Sequence, residues 1–489
     1  MCLTTRPHRH LAVPEVWRLR RLAVRFVFFL YFTLVRFAFA VWNFPRARRN
    51  VPAPPAAPND DDRWLLMPAV QLAEAIRRRE VSALHVMRVF IQRINQVDAT
   101  LNAVTRRNFE RAEQEAAEVD DILAWLHSNM DEFKNLESKK PLFGVPFTVQ
   151  NKLRQAGAIP LVLTNCSEAG LWIETSNRVH GTTSNAYDTR RTAGGGCGGE
   201  GVLIAAAASP FGLGFDLGGS VRLAGLFNGV FGFKSGPGEM NTIGVLTRYA
   251  TDLPTLLKIL AGPDNAHFFH LKKPADMTKL RVFYLDAFGF PYTSGVDPDI
   301  LNTLDLVKGY FVSHFDVQPE PLAHPLFGDS LTEWLACIRD PVSRSVSSTL
   351  AGYSKDQQIE FWGEFGKWLA GGSTHTTASL LMCFVEQVLP ELSEEERKYA
   401  MKERERLCHD LTALLDERTI LLVWNMLALP VVSTPISLNR EGLPVGIQVV
   451  SGPQNERLLC DVAGELEYAF GGWKPAQQRS GLERFHFSF

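Results

Sequence analysis

Cysteine is scarce in this chain of 489 residues: seven, at positions 2, 166, 197, 337, 383, 408 and 460, with no Cys-x-x-Cys. An odd, scattered set argues against both a disulfide-stapled scaffold and a zinc site. The histidines show no ligand spacing, so no metal is expected, and a Gly-Lys-Ser/Thr phosphate loop is absent. Acid is almost missing from residues 1–50, where Glu15 stands against ten arginines (6, 9, 18, 20, 21, 25, 36, 46, 48 and 49). Net charge is −2, so the body behind that basic end is acidic. Such a balance argues against nucleic acid as a partner. No internal repeat is visible.

Apolar residues are plentiful, at 46%, with 32 Phe and 10 Trp. That supply builds a sizeable core and rules out general disorder. The length allows three domains or one large α/β domain.

Residues 22–44 carry nine aromatics in 23 positions and are long enough, as a helix, to cross a bilayer. Arg25 and Arg36 oppose this, since a central Arg costs about 2.5–3.5 kcal/mol on insertion scales. A retained anchor is the leading reading; a cleaved signal peptide ending near Ala38-Phe39-Ala40 is its rival, and a soluble or interfacial helix a third. Arginine before the segment outnumbers arginine after it, which predicts a single-pass endomembrane protein with a lumenal body. The expected layout is a basic segment 1–21, the anchor 22–44, a Pro-rich linker 45–63 and a domain 64–489. VPAPPAAPNDDD (51–62) reads as stiff and solvated.

Within the body, apolar positions from Met67 to Val97 recur at helical spacing, broken near Arg79–Ser82, which predicts two amphipathic helices. Ala103–Trp125 reads as another helix with a charged face, and Leu203–Ser209 as an apolar, Ala-rich one. Phe143–Val149, Ile159–Leu163 and Leu443–Val450 read as strands. The alternation predicts an α/β fold with one mixed sheet covered by helices on both faces. Phe361–Leu369 packs four aromatics into nine residues, as core, acyl-channel lining or a membrane-dipping turn.

Two glycine clusters stand out: Gly194-Gly195-Gly196-Cys197-Gly198-Gly199 and Gly212-Leu213-Gly214-Phe215-Asp216-Leu217-Gly218-Gly219-Ser220. The first matches G-x-G-x-x-G, but polar residues precede it where a dinucleotide site needs a hydrophobic strand. In the second, Arg222 stands where a nucleophile elbow needs its second glycine. Successive amides of Leu217, Gly218, Gly219 and Ser220 can instead form an anion nest, with Ser220 at its lip to attack a carbonyl. A plain tight turn capped by serine is the alternative.

The order of these pieces resembles the amidase signature family of serine hydrolases, and within it the membrane-anchored fatty-acid amide hydrolases. The resemblance rests on Gly144-Val145-Pro146, Thr164-Asn165-Cys166-Ser167-Glu168, Asn185-Ala186-Tyr187-Asp188, both glycine clusters, Asn228–Lys234, Thr247–Leu253, Gly442–Gln448 and Gly471-Gly472-Trp473. It implies an amidase-signature α/β fold and a cofactor-free Ser–cis-Ser–Lys triad acting on a lipid-like fatty amide, and it leaves a homodimer open. Ser220 maps onto the nucleophile, and Leu217 to Ser220 onto the oxyanion hole. The bridging Ser falls on Gly196, and the Lys on Gln150. Phe215 stands where the family has a small hydroxyl residue. Three joins, near 150, 240 and 425, are shorter than the family pattern.

Lys152 and Cys197 are the candidate rescuers. Lys152 would share the side of Gln150 only if the strand continued. Cys197 precedes a helix N-terminus, which favours a thiolate; packing as a small residue is its plainer role. A serine hydroxyl without a base is a poor nucleophile, so activity is expected to be absent or very weak. The alternatives are a working amidase with an unseen base and an incomplete form of an enzyme.

Overall fold

A computed structural model describes Phe26, Val51 and residues 62–126, 130–148, 151–170, 172–236, 242–262, 274–286, 295–322, 346–352, 358–387, 393–423 and 429–476. The 22–44 segment, Phe26 apart, lies outside this set, as does Gln150. Among the described residues no helix is long and apolar enough to cross a membrane, so the predicted anchor finds no support here.

After a single helical turn at Asp62–Leu65 come two helices, α1 (Ala69–Arg77) and α2 (Ala83–Leu101), split where the periodicity breaks. Asp252 caps α1 by accepting from the amides of Ala69 and Val70, both at 2.9 Å. Ser82 caps α2 through His85 N–H, and the helix stops at Asn102 in the left-handed region. The next stretch departs from expectation: Val104–Arg107 is strand β1, and helix α3 (Phe109–Leu126) begins only after it. Helix α4 (Met130–Lys139) follows.

The remaining strands of the large sheet are β2 (Pro146–Thr148), β3 (Ile159–Thr164), β6 (Phe211–Asp216), β7 (Phe231–Lys234), β8 (Thr242–Thr247), β9 (Arg281–Tyr284), β10 (Glu320–Pro321), β11 (Thr419–Val423), β12 (Val431–Leu438) and β13 (Pro444–Ser451). With β1 they form one eleven-stranded sheet in the order β1-β3-β2-β6-β8-β7-β12-β13-β11-β9-β10. Strand β2 runs parallel to β3 and β6, whereas β6, β8, β7, β12 and β13 alternate antiparallel. The sheet is therefore mixed, as expected. All of β7 and most of β12 are buried without alternation, which requires cover on both faces. A small hairpin, β4 (Ser176–Asn177) with β5 (Gly181–Thr182), stands apart.

Helices α5 (Gly198–Ala205) and α6 (Ser220–Phe227) pack on each other and against the middle of the sheet. The apolar run at 203–209 thus belongs to a helix that starts earlier, at Gly198, and ends at Ala205. Helix α7 (Leu253–Ala261) packs beside β8, and α8 (Pro298–Phe315) on β13. Helices α9 (Phe361–Leu369) and α10 (Thr377–Gln387) build a small core of their own, with Val346, Phe361, Met382 and Cys383 buried together. Helix α11 (Glu394–Leu414) opens on a capping box of Ser393 and Glu396, and α12 (Glu456–Phe470) packs on β12.

Candidate active site

Strand β6 ends at Asp216, the chain turns through Leu217–Gly219, and α6 starts at Ser220. Gly219 takes φ +112°, a conformation that a side chain would resist, and this lets the turn deliver Ser220 to the helix start. Asp216 fixes the turn. Its Oδ1 accepts from Gly219 N–H at 2.7 Å, and its two oxygens accept from Arg222 Nε and Nη2, each at 2.9 Å. Burial alone would raise the Asp216 carboxyl, but Arg222 and the Gly219 amide outweigh it and hold the group below the carboxylate range. One of the four amides expected to hold an oxyanion is thus occupied by the chain's own carboxylate. Leu217 is half-buried, Gly218 exposed, and Ser220 only 7% exposed.

The glycine loop lies directly against Ser220. At Gly195, with φ +66°, a β-carbon would come within 2.3 Å of the Ser220 carbonyl oxygen, so only glycine fits. The segment 165–175 clamps this loop. Thr175 Oγ1 donates to Gly195 O at 2.7 Å and accepts from Gly198 N–H at 2.9 Å, while Ser167 N–H donates to Gly196 O at 3.1 Å.

Gly196 itself faces the serine. A β-carbon there would lie 3.1 Å from Ser220 Oγ, 3.2 Å from Ser167 Oγ and 3.1 Å from the Gly170 carbonyl oxygen. A serine at 196 would therefore touch Ser220, and glycine leaves that contact unmade. Ser167 sits in one of the segments that carry the resemblance, but sequence reasoning gave it no role at the site. It is 1% exposed, and its hydroxyl has no hydrogen-bond partner among the described residues. Leaving such a group unsatisfied costs about 1–3 kcal/mol. No spacing in the sequence marks it, because its neighbours at the site come from two other segments.

The proposed rescuers are placed as follows. Lys152 lies in the short helix Asn151–Gln155, so β2 does not continue through it. The Cys197 thiol is buried against Gly214, where an added β-carbon would meet its Sγ at 2.6 Å. Burial first, then the Asp216 and Glu200 carboxylates, push that thiol well above its ordinary range, overriding the helix start. Glu200, on α5, is buried as well and accepts from the hydroxyls of Thr148 and Thr164; burial lifts its carboxyl to about 7 despite them. Among the described residues no cluster of His, Cys, Asp and Glu could hold a metal ion.

On the far side of Ser167, Glu168 accepts from His375 Nδ1 at 2.7 Å, Thr376 N–H at 2.7 Å and Ser379 Oγ at 2.8 Å. Burial would raise this carboxyl, but these donors together bring it below its usual value. The wall of the site is thereby tied to the start of α10.

A serine at a strand-to-helix turn, cradled by a glycine loop on a large mixed sheet, defines an amidase-type scaffold. The amidase family model matches residues 147–282. Fatty-acid amide hydrolase 2-A of Danio rerio is 32% identical, aligning over 88% of this chain and 93% of its own length. Fatty-acid amide hydrolase 2 of Homo sapiens is 31% identical, over 90% and 95%. A solved fatty acid amide hydrolase superposes with TM-score 0.66 at 15% identity, covering 85% of this chain and 87% of that one, which speaks to the fold. The chain belongs to the amidase signature family. Within that family it stands with the relatives named fatty-acid amide hydrolase 2, which it matches over nearly its whole length.

Proposed function

We propose that the protein binds long-chain fatty amides on an amidase scaffold and hydrolyses them very weakly or not at all. The observation that carries this is Gly196: the point 3.1 Å from Ser220 Oγ where a relay side chain would begin belongs to a residue without one. A serine hydroxyl attacks an amide only when something takes its proton. The neutral Gln150 at the position that the resemblance assigns to lysine supports the same conclusion. The names of the curated relatives support a fatty-amide ligand. We also infer a membrane anchor at 22–44 with the body on the lumenal side, which the arginine distribution supports.

The deciding experiment is hydrolysis of a long-chain primary amide by the full chain, run beside Ser220→Ala and a Gly196→Ser/Gln150→Lys double variant. The wild type is expected at or near the Ser220→Ala background, with turnover rising in the double variant. Rapid turnover by the wild type that Ser220→Ala abolishes would sink this reading. Ligand binding is read separately, as a rise in melting temperature with added amide.

A further inference from the structure

Three segments meet beside the β-carbon position of Gly196, and two of them present hydroxyls: Ser220 Oγ at 3.1 Å and Ser167 Oγ at 3.2 Å. Ser167 is buried and its hydroxyl has no hydrogen-bond partner among the described residues, so placing it there costs stability. Its backbone is nevertheless fixed from both sides. Its N–H donates to Gly196 O at 3.1 Å, its carbonyl accepts from Gly170 N–H at 3.0 Å, and the adjoining Glu168 is anchored by three donors of residues 375–379. Two hydroxyls thus converge on one point beside Gly196, and one of them, Ser167, is held in place with no hydrogen-bond partner among the described residues, which is what a proton relay needs.

We propose that Ser167 supplies the relay hydroxyl that Gly196 lacks, giving Ser220 a slow residual reactivity; this rests on Ser220 being the nucleophile of the reading above. A turn of χ1 among the staggered wells at either serine brings one oxygen towards the other, and such bonds tighten when substrate binds. In the step, the Ser220 Oγ–carbon bond forms and the carbon–nitrogen bond breaks. The Ser220 proton passes to Ser167 Oγ as the Ser167 proton passes to the departing nitrogen, released as ammonia from a primary amide. Water then attacks the acyl ester, and its proton returns to Ser220 by the same route. The exchange balances without a separate base, which is why it is slow.

The test is labelling of the full chain by a long-alkyl fluorophosphonate, followed by intact mass across neutral to alkaline pH. There the Ser220 oxygen–phosphorus bond forms, fluoride leaves, and the Ser167 proton leaves with it. The wild type should label once and slowly, and Ser220→Ala not at all. Ser167→Ala should label about 10²-fold more slowly with an unchanged or higher melting temperature, since the hydroxyl removed has no partner. Gly196→Ser placed in the Ser167→Ala background should restore labelling, which a mere packing role for Ser167 would not allow. Wild-type rates in Ser167→Ala, failure of that rescue, or an unlabelled but cooperatively melting wild type would each overturn the proposal. Fatty-amide binding measured on the same samples separates the two ideas. Binding retained without labelling removes the relay alone, whereas binding absent from the wild type removes the broader reading.

Discussion

Asp216 has no exposed side-chain surface and Arg222 has 4%, so neither charge can turn to water if its partner is lost. Asp216→Ala strands a buried guanidinium and frees the Gly219 amide. The cost should be about 3–5 kcal/mol, read from urea melts as a lower midpoint at unchanged slope. Glu200 answers to pH instead. Burial raises its folded pKa to about 7 from a reference of 4.5, so the stability it contributes is complete below the unfolded value and lost as pH climbs from about 4.5 to about 7. Glu200→Gln should remove a loss on the order of 3 kcal/mol over that window. Identical pH–stability curves for the two proteins would refute this. At this scale the sequence shows Ser220 and Gly196 readily, because glycine clusters announce tight turns locally. Ser167 stays hidden: what makes it matter is the convergence of 167, 196 and 220 in space, and nothing in the neighbourhood of any one of them encodes the others.

The glycine loop and the 165–175 segment act together as one clamp. At Gly195 an added methyl would collide with the Ser220 carbonyl and strain a φ of +66°, so Gly195→Ala should destabilise by about 1–3 kcal/mol and shift Ser220. Retained stability with unchanged fluorophosphonate labelling would show that the loop has room to spare. Glu168 extends the clamp to α10, joining residues more than 200 positions apart. With Glu168→Ala, residues 346–387 should become sensitive to trypsin while the sheet's circular dichroism holds; equal sensitivity of both parts would show that this carboxylate is not what ties them. The element boundaries that sequence patterns misplace have a shared cause. Val104–Arg107 is an edge strand, paired among the described residues with β3 alone, and both its arginines are exposed. Edge strands carry charge to discourage further pairing, so its composition imitates the charged face of the helix that follows. The run at 203–209 is buried throughout, and a uniformly apolar stretch holds no periodicity to mark where the helix ends.

Over the whole molecule, the joins near 150, 240 and 425, which the resemblance leads one to expect longer, bear on whether the body folds as one unit. The positions 149–150, 237–241 and 424–428 lie outside the described residues, but each is flanked by residues of one continuous core. Phe147 and Leu153 bracket the first, Phe233 and Val245 the second, and Leu422 and Val432 the third, all in the same cluster. The crossover from β2 to β3 spans only 149–158, at the short limit for a parallel connection. At the surface, the cross-strand partners Phe215 and Ile243 are 59% and 39% exposed. A chain missing essential core connections would melt without cooperativity and yield to protease throughout. The body should instead give one cooperative transition with a protease-resistant sheet, preceded by opening of the small α9–α10 core, which buries its residues in a separate cluster. Adding a long-chain amide should raise the main transition, because a ligand that binds only the folded state stabilises it by RT ln(1 + [L]/Kd). A featureless melt would assign the chain to the incomplete forms of an enzyme. A cooperative melt shifted upward by the amide, with Ser220 turnover near background, would leave a lipid-amide binder.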